Sequence, residues 1–253
     1  MYLVKLIKRV TLKPSRILEI IKHKIATTRV REIHRYFELW VKAEMSRDNY
    51  KKVFVLPDTL SYKNLTRFQY MPNIQFLEIG CFLGFTSNFL IENFLMGENS
   101  KLTCIDPWID YSESSENAIE GFDEIINNKT YGEFIENTKR NEDKLVIRRG
   151  LSKDVLPTLN NKFHFIFIDG DHSTSAVWKD AVLSMPMLIK GGYLLFDDYD
   201  WNQGKSNPKK AIDYFEHVYK EYIQKLPTYN NQKLYRLIRD VELTTKPDLH
   251  KFD

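Results

Sequence analysis

The chain has 253 residues, 43% hydrophobic and 28% charged, which is enough to bury a sizeable core and excludes both wholesale disorder and a disulfide-stapled miniprotein. A net charge of +3 is too small to advertise nucleic acid, and no such partner is expected. The total is unevenly spread: ten basic residues against Glu19 and Glu32 leave residues 1–35 at +8 and the remainder at −5.

Leu3, Leu6, Ile7 and Val10, and beyond the breaker Pro14 the set Ile17, Ile20, Ile21 and Ile25, have helical spacing and predict two short amphipathic helices. Lys5, Lys8 and Arg9 interrupt the apolar residues too early for a signal peptide. No stretch reaches the roughly 20 apolar residues of a membrane span. Ile33, Tyr36, Phe37, Trp40 and Val41 continue the period in a more aromatic helix, expected to pack on the main domain. The basic leader reads either as a solvated helical face or as peripheral attachment to an anionic membrane surface or a partner. Exposed apolar faces on these helices are also compatible with a homodimer. Residues 1–65 are read as a basic helical appendage and 66–253 as the main domain.

From residue 74 short β-rich runs alternate with helical stretches, the pattern of a parallel sheet with crossover helices. Strands are predicted at 74–79, 102–105, 145–148, 163–168 and 193–196, with helices at 85–96, 115–139, 174–188 and 208–224. The run 233–239 alternates in character and predicts a last, antiparallel strand. Cys81 and Cys104, the only two cysteines, lie in or beside apolar runs; they argue against a disulfide framework and for a reducing, cytoplasmic setting.

Ligands of open α/β sheets bind beyond the carboxyl ends of the strands, so the residues following each strand carry the most information. The first strand runs into FLEIGCFLGFTS, with Glu78, Gly80 and Gly84 ahead of a helix. Glycines there let the backbone turn tightly and approach a ligand. Asp106 ends the second strand, where a carboxylate can accept hydrogen bonds from ribose hydroxyls.

These residues resemble the class I methyltransferases that use S-adenosylmethionine. The family's first motif, acid-x-Gly-x-x-x-Gly-x-Ser/Thr, is matched by Glu78, Gly80, Gly84 and Thr86, and its ribose-binding acid by Asp106. RRGLSKDVLPTL resembles its adenine-side segment, and the stretch from Phe163 to Trp201 looks like the metal-dependent O-methyltransferases of the macrocin and catechol types. The resemblance spans about residues 70–240. It implies a Rossmann-like, mostly parallel seven-stranded sheet with an antiparallel last strand. It also implies cofactor contacts at Glu78, Gly80, Gly84, Phe85, Thr86, Asp106, Gly150, Leu151, Ser152 and Asp169.

Asp169 ends the fourth strand and Asp197 and Asp198 the fifth. If those strands are neighbours, three carboxylates converge, and such a cluster repels itself unless a cation neutralises it or its pKa values rise. Hard oxygens of this kind suit Mg2+, and the matching family positions bind it; capping a turn is the plainer role for either of the last two. Asp171 and His172 offer a base for a hydroxyl acceptor on a small molecule or sugar. His172 ranks first because its ordinary pKa lies near 6.5, and capping the following helix is the alternative role for both. The segment 107–141, rich in acids, reads as a solvated helix or as a lid that brings Trp108 and Tyr111 near the cofactor. Tyr199 and Trp201 read as an aromatic wall or as core, and Cys81 as a small buried residue. A metal-independent N- or protein methyltransferase, a nicotinamide dehydrogenase and a non-catalytic binding module share parts of this pattern.

Overall fold

A computed structural model describes residues 32–33, 35–45, 61–108, 129–202, 206–228, 231–242 and 247–253. The two basic helices expected before residue 31, Tyr111 and the acidic stretch 109–128 lie outside these residues. The chain divides into two compact units, Met1–Glu44 and Met45–Asp253. In the first, the aromatic period around Tyr36, Phe37 and Trp40 is helical, as its spacing predicts. Among the described residues no helix is long and apolar enough to cross a membrane.

The second unit is built on strands β1 (Gln75–Ile79), β2 (Lys101–Asp106), β3 (Leu145–Arg149), β4 (Phe163–Ile168), β5 (Leu188–Phe196), β6 (Ile223–Leu226) and β7 (Lys233–Leu237). Helices α1 (Phe85–Phe94), α2 (Lys129–Thr138), α3 (Ser152–Val155), α4 (Thr174–Ser184) and α5 (Pro208–Tyr219) lie between them. The strands form one sheet in the order β3-β2-β1-β4-β5-β7-β6. The first five are parallel, and β7 runs antiparallel to both β5 and β6. This is the Rossmann-like sheet with a reversed last strand that the sequence implies. Strand order reverses between β1 and β4, which opens a crevice at their carboxyl ends.

Both faces of the sheet are covered, which is why its strands read as nearly continuous apolar runs. On one face Leu77, Ile79, Ile166, Ile168, Leu194 and Phe196 pack with Trp178 and Ala181 of α4 and Ile212 and Phe215 of α5. The other face is aromatic. Phe76 and Phe165 meet edge to face with centroids 5.1 Å apart, and Tyr62 contacts Phe89, Phe165 and Phe167 in the same way. Tyr62 belongs to a 3-10 helix, Ser61–Phe68, so this layer begins before residue 66, the boundary expected from the sequence.

Three local readings change. The helix expected over 174–188 stops at Ser184, because Pro186 follows within a Met-Pro-Met turn and removes a helical donor. Strand β5 starts at Leu188, earlier than expected, with Gly191 and Gly192 inside it beside a register shift against β4. The helix expected to reach 224 ends at Tyr219, and Ile223–Leu226 pairs with β7 as an edge strand. With Gln224 and Lys225 exposed, that strand lacks the apolar alternation that would announce it.

Candidate active site

The residues that follow each parallel strand continue its hydrogen-bond ladder. Gly80 donates its N–H to the Ile105 carbonyl at 2.9 Å, Asp169 to Ile79 at 2.8 Å, Asp197 to Ile168 at 3.1 Å and Gly150 to Asp106 at 3.0 Å. The candidate site therefore sits on rigid strand ends, which suits precise chemistry.

At the β1 end Gly80 has φ +84°, and a side chain there would run into the Asp169 carbonyl. Only glycine lets β1 and β4 leave the sheet this close together. Gly84, at φ +82°, starts α1 with its Cα facing the Thr138 methyl and the Phe134 ring. Asp106 lies under the loop between them: Oδ2 accepts the N–H groups of Cys81 (2.8 Å) and Phe82 (3.0 Å), and Oδ1 that of Trp108 (2.7 Å). Burial pushes its carboxyl up, and the three backbone donors oppose that shift. The acid expected at the ribose thus also fixes the shape of the loop, with lone pairs left over for a ligand. Trp108 caps this end, its Nε1 donating to the Phe82 carbonyl at 2.9 Å and its ring against Tyr131 and Phe134.

Glu78 is fully buried and accepts from Ser87 Oγ at 2.5 Å. Burial raises its pKa to about 8, so it is a neutral acid at pH 7. Cys81 and Cys104 lie close to it, and burial pushes both thiols up, as expected of inert core residues. Phe85 is buried and Thr86 half-buried on the first turn of α1. Leu151 is exposed beside Gly150, while the Ser152 hydroxyl bonds Asp180 of α4, whose burial raises its pKa to about 7. Asp180 escaped the sequence reading because a lone acid inside an apolar helix carries no motif.

The β4 and β5 ends are acidic, and the structure regroups the expected residues. Oxygens of Asp169 and Asp198 and the His172 imidazole offer donor atoms that lie within 4.8 Å of one another. His172 Nε2 is 3.1 Å from Asp198 Oδ2 and 3.8 Å from Asp169 Oδ1. Asp197, expected as a third ligand, is outside this trio: its Oδ1 accepts the Asp198 N–H at 2.9 Å and its Oδ2 the Gln232 amide at 3.0 Å. Burial and the charges of Asp169 and Asp198 raise its pKa to about 7. Asp169 is raised as well, chiefly by burial.

Burial alone would lower the pKa of His172, but Asp169 and Asp198 outweigh it and hold the imidazole protonated up to about pH 10. Its ranking as the base on an unperturbed pKa therefore does not hold while those carboxylates are bare. Asp171 Oδ1 accepts the Ser173 N–H at 2.7 Å, while the cap of α4 is Ser173 itself, so Asp171 shapes the loop and does not cap the helix. Trp201 lies beside His172, ring centroids 5.3 Å apart. Tyr199 is turned away, donating to Asp213 at 2.7 Å with Lys209 and Lys233 over its ring.

Among the described residues no lysine or arginine pairs with Asp169, Asp197 or Asp198, and the His172 imidazolium is the positive charge between two of them. Half-buried, mutually repelling hard oxygens with a single histidine fit a divalent cation.

Residues 77–199 match the family model described as a methyltransferase domain. Over this segment the chain is similar to methyltransferase domains, and its sheet is the Rossmann-like methyltransferase fold. A protein of Acanthamoeba polyphaga mimivirus is 29% identical over 133 residues, 50% of this chain and 52% of that protein. The chain thus matches about half the length of this curated relative. The methyltransferase fold is shared with an O-methyltransferase from Bacillus cereus solved with SAH (17% identity, 80% of this chain and 90% of that one, TM-score 0.54). It is also shared with the O-methyltransferase TomG from Streptomyces achromogenes, involved in tomaymycin synthesis and solved with SAM (13% identity, 84% and 89%, TM-score 0.54).

Proposed function

We propose that the protein transfers a methyl group from S-adenosylmethionine to a hydroxyl oxygen of a small molecule or sugar, assisted by a divalent cation, with Mg2+ the first candidate. The observation that carries this reading is the acidic cluster of Asp169, Asp198 and neighbouring Asp197, set on strand ends beside the glycine loop of a methyltransferase domain.

Methyl transfer from a sulfonium is an in-line displacement that needs an acceptor held close, aligned and nucleophilic. A divalent cation supplies Lewis acidity at the acceptor oxygen, worth several kcal/mol of developing charge. Asp169 and Asp198 would hold it, with Asp197 adjoining. Asp106 holds the loop of Cys81 and Phe82 in shape, Gly80 lets β1 pass close to the Asp169 backbone, and Gly84 lets α1 start against Thr138 and Phe134. Trp201 offers a flat surface for an acceptor. Once the two carboxylates are neutralised, His172 loses the cause of its raised pKa and becomes able to accept the hydroxyl proton near neutral pH.

One observation favours metal-independent transfer to nitrogen or protein: His172 already supplies a positive charge to Asp169 and Asp198. Calorimetry with S-adenosylmethionine, with and without Mg2+, tests the main reading. Binding that tightens with Mg2+ supports it, binding indifferent to EDTA selects the metal-independent reading, and no binding in either condition ends both.

For the basic leader, attachment to an anionic surface remains the proposal, and deletion of residues 1–30 should abolish pelleting with anionic liposomes. Unchanged pelleting removes the idea.

A further inference from the structure

In the antiparallel register of β5 and β7, Phe196 faces Lys233, so one step outward Asp197 faces Gln232. The tails of β5 and β7 remain joined there by the Tyr199 N–H on the Asn231 carbonyl at 2.7 Å, and Thr228, just past β6, donates its Oγ1 to the Gln232 carbonyl at 2.7 Å. Gln232 is only 2% exposed, and its Nε2 donates to Asp197 Oδ2 at 3.0 Å. Tyr62, which sits in the aromatic layer beneath, has a hydroxyl near the same amide. Neither that hydroxyl nor Gln232 Oε1 has a hydrogen-bond partner of good geometry.

A buried amide with an unpartnered oxygen is a poor choice for stability alone. Its other end explains it. A lysine here would neutralise Asp197 and compete with a cation, whereas a neutral donor fixes one carboxylate oxygen and leaves the negative charge available. We infer that Gln232 is a positioning residue that orients Asp197 toward a divalent cation at the Asp169–Asp198 cluster, an inference that rests on the metal-assisted reading above. The reversed strand β7 thereby serves the site directly, since its register with β5 places this amide opposite Asp197.

The test is the affinity of wild type, Gln232→Leu and Gln232→Met for Mn2+ and for S-adenosylmethionine by calorimetry, with thermal unfolding in EDTA. Both variants keep roughly the volume of glutamine and lose its amide, so if one fails to fold the other carries the measurement. The expected result is Mn2+ affinity about 10- to 100-fold weaker, cofactor affinity within about threefold and an unfolding midpoint in EDTA no lower than wild type. Unchanged Mn2+ affinity overturns the inference and leaves the metal-assisted reading standing. A parallel loss of Mn2+ affinity, cofactor affinity and thermal stability shows a merely structural glutamine and overturns it too. Failure of the wild type to bind Mn2+ removes both the metal-assisted reading and this inference.

Discussion

The two halves of the crevice treat their carboxylates in opposite ways. At the β2 end Asp106 is met by three backbone N–H groups, so its charge is already answered and the loop above it is already shaped. At the β4 and β5 ends Asp169, Asp197 and Asp198 crowd one another, and among the described residues the cationic answer is one imidazolium. The first half is preorganised to receive a ligand through main-chain geometry. The second is under electrostatic tension that a divalent cation would relieve.

Removing the settled carboxylate should have the largest effect. Asp106→Ala strands the N–H groups of Cys81, Phe82 and Trp108, each worth about 1–3 kcal/mol when unsatisfied. Stability should fall by about 3 kcal/mol or more, measured by denaturant unfolding, together with most of the cofactor affinity. A loss below about 1 kcal/mol would show that this half is not held by Asp106.

The tense half should respond to pH. His172 has a folded pKa of about 10, above its ordinary 6.5, so its protonation contributes stability in full below about pH 6.5, and that contribution is lost as pH rises through 10. Asp197, raised from 3.8 to about 7, likewise binds its proton more tightly in the folded state. Its contribution is lost as pH rises through 7. In EDTA the unfolding midpoint should therefore decline from pH 6 to pH 10, and Asp198→Asn should flatten the part due to His172 and lower the His172 pKa followed by NMR. A profile unaltered by Asp198→Asn would break the comparison.

The smallest effect belongs to Glu78. It is neutral at pH 7 because burial raises its pKa to about 8, so Glu78→Gln should change stability at neutral pH by no more than about 1 kcal/mol. Relative to wild type the variant should gain stability as pH rises from 4.5 to 8, since the folded wild type keeps a proton there that its unfolded chain releases. A large loss at pH 7 would mean that Glu78 works as a charged group.

Much of this was legible in the sequence because parallel strands announce themselves locally. Phe163–Ile168 is apolar but for His164 and its limits follow from composition, and every acid at a strand end could be read from its position after such a run. What the sequence withheld depends on pairing across distance. Gln232 gains its place from antiparallel register with Asp197, some 35 residues away, and nothing local marks it. Tyr62 lies before the recognisable segment and joins it only through Phe89, Phe165 and Phe167. The raised pKa of His172 is equally non-local, since Asp198 on another strand end contributes to it beside Asp169. Edge strand β6 was hidden because its outward residues follow solvent rather than a core.

The central claim, that the β4 and β5 carboxylates form a cation site, is tested most directly by titrating Mn2+ into the cofactor-saturated protein at pH 8 in a calorimeter. The expected result is a single site per chain, with binding weakened as pH falls toward 6 because protons on Asp197 and His172 compete. Absence of saturable binding at pH 8, or binding that persists unchanged in Asp169→Asn and Asp198→Asn, would contradict it.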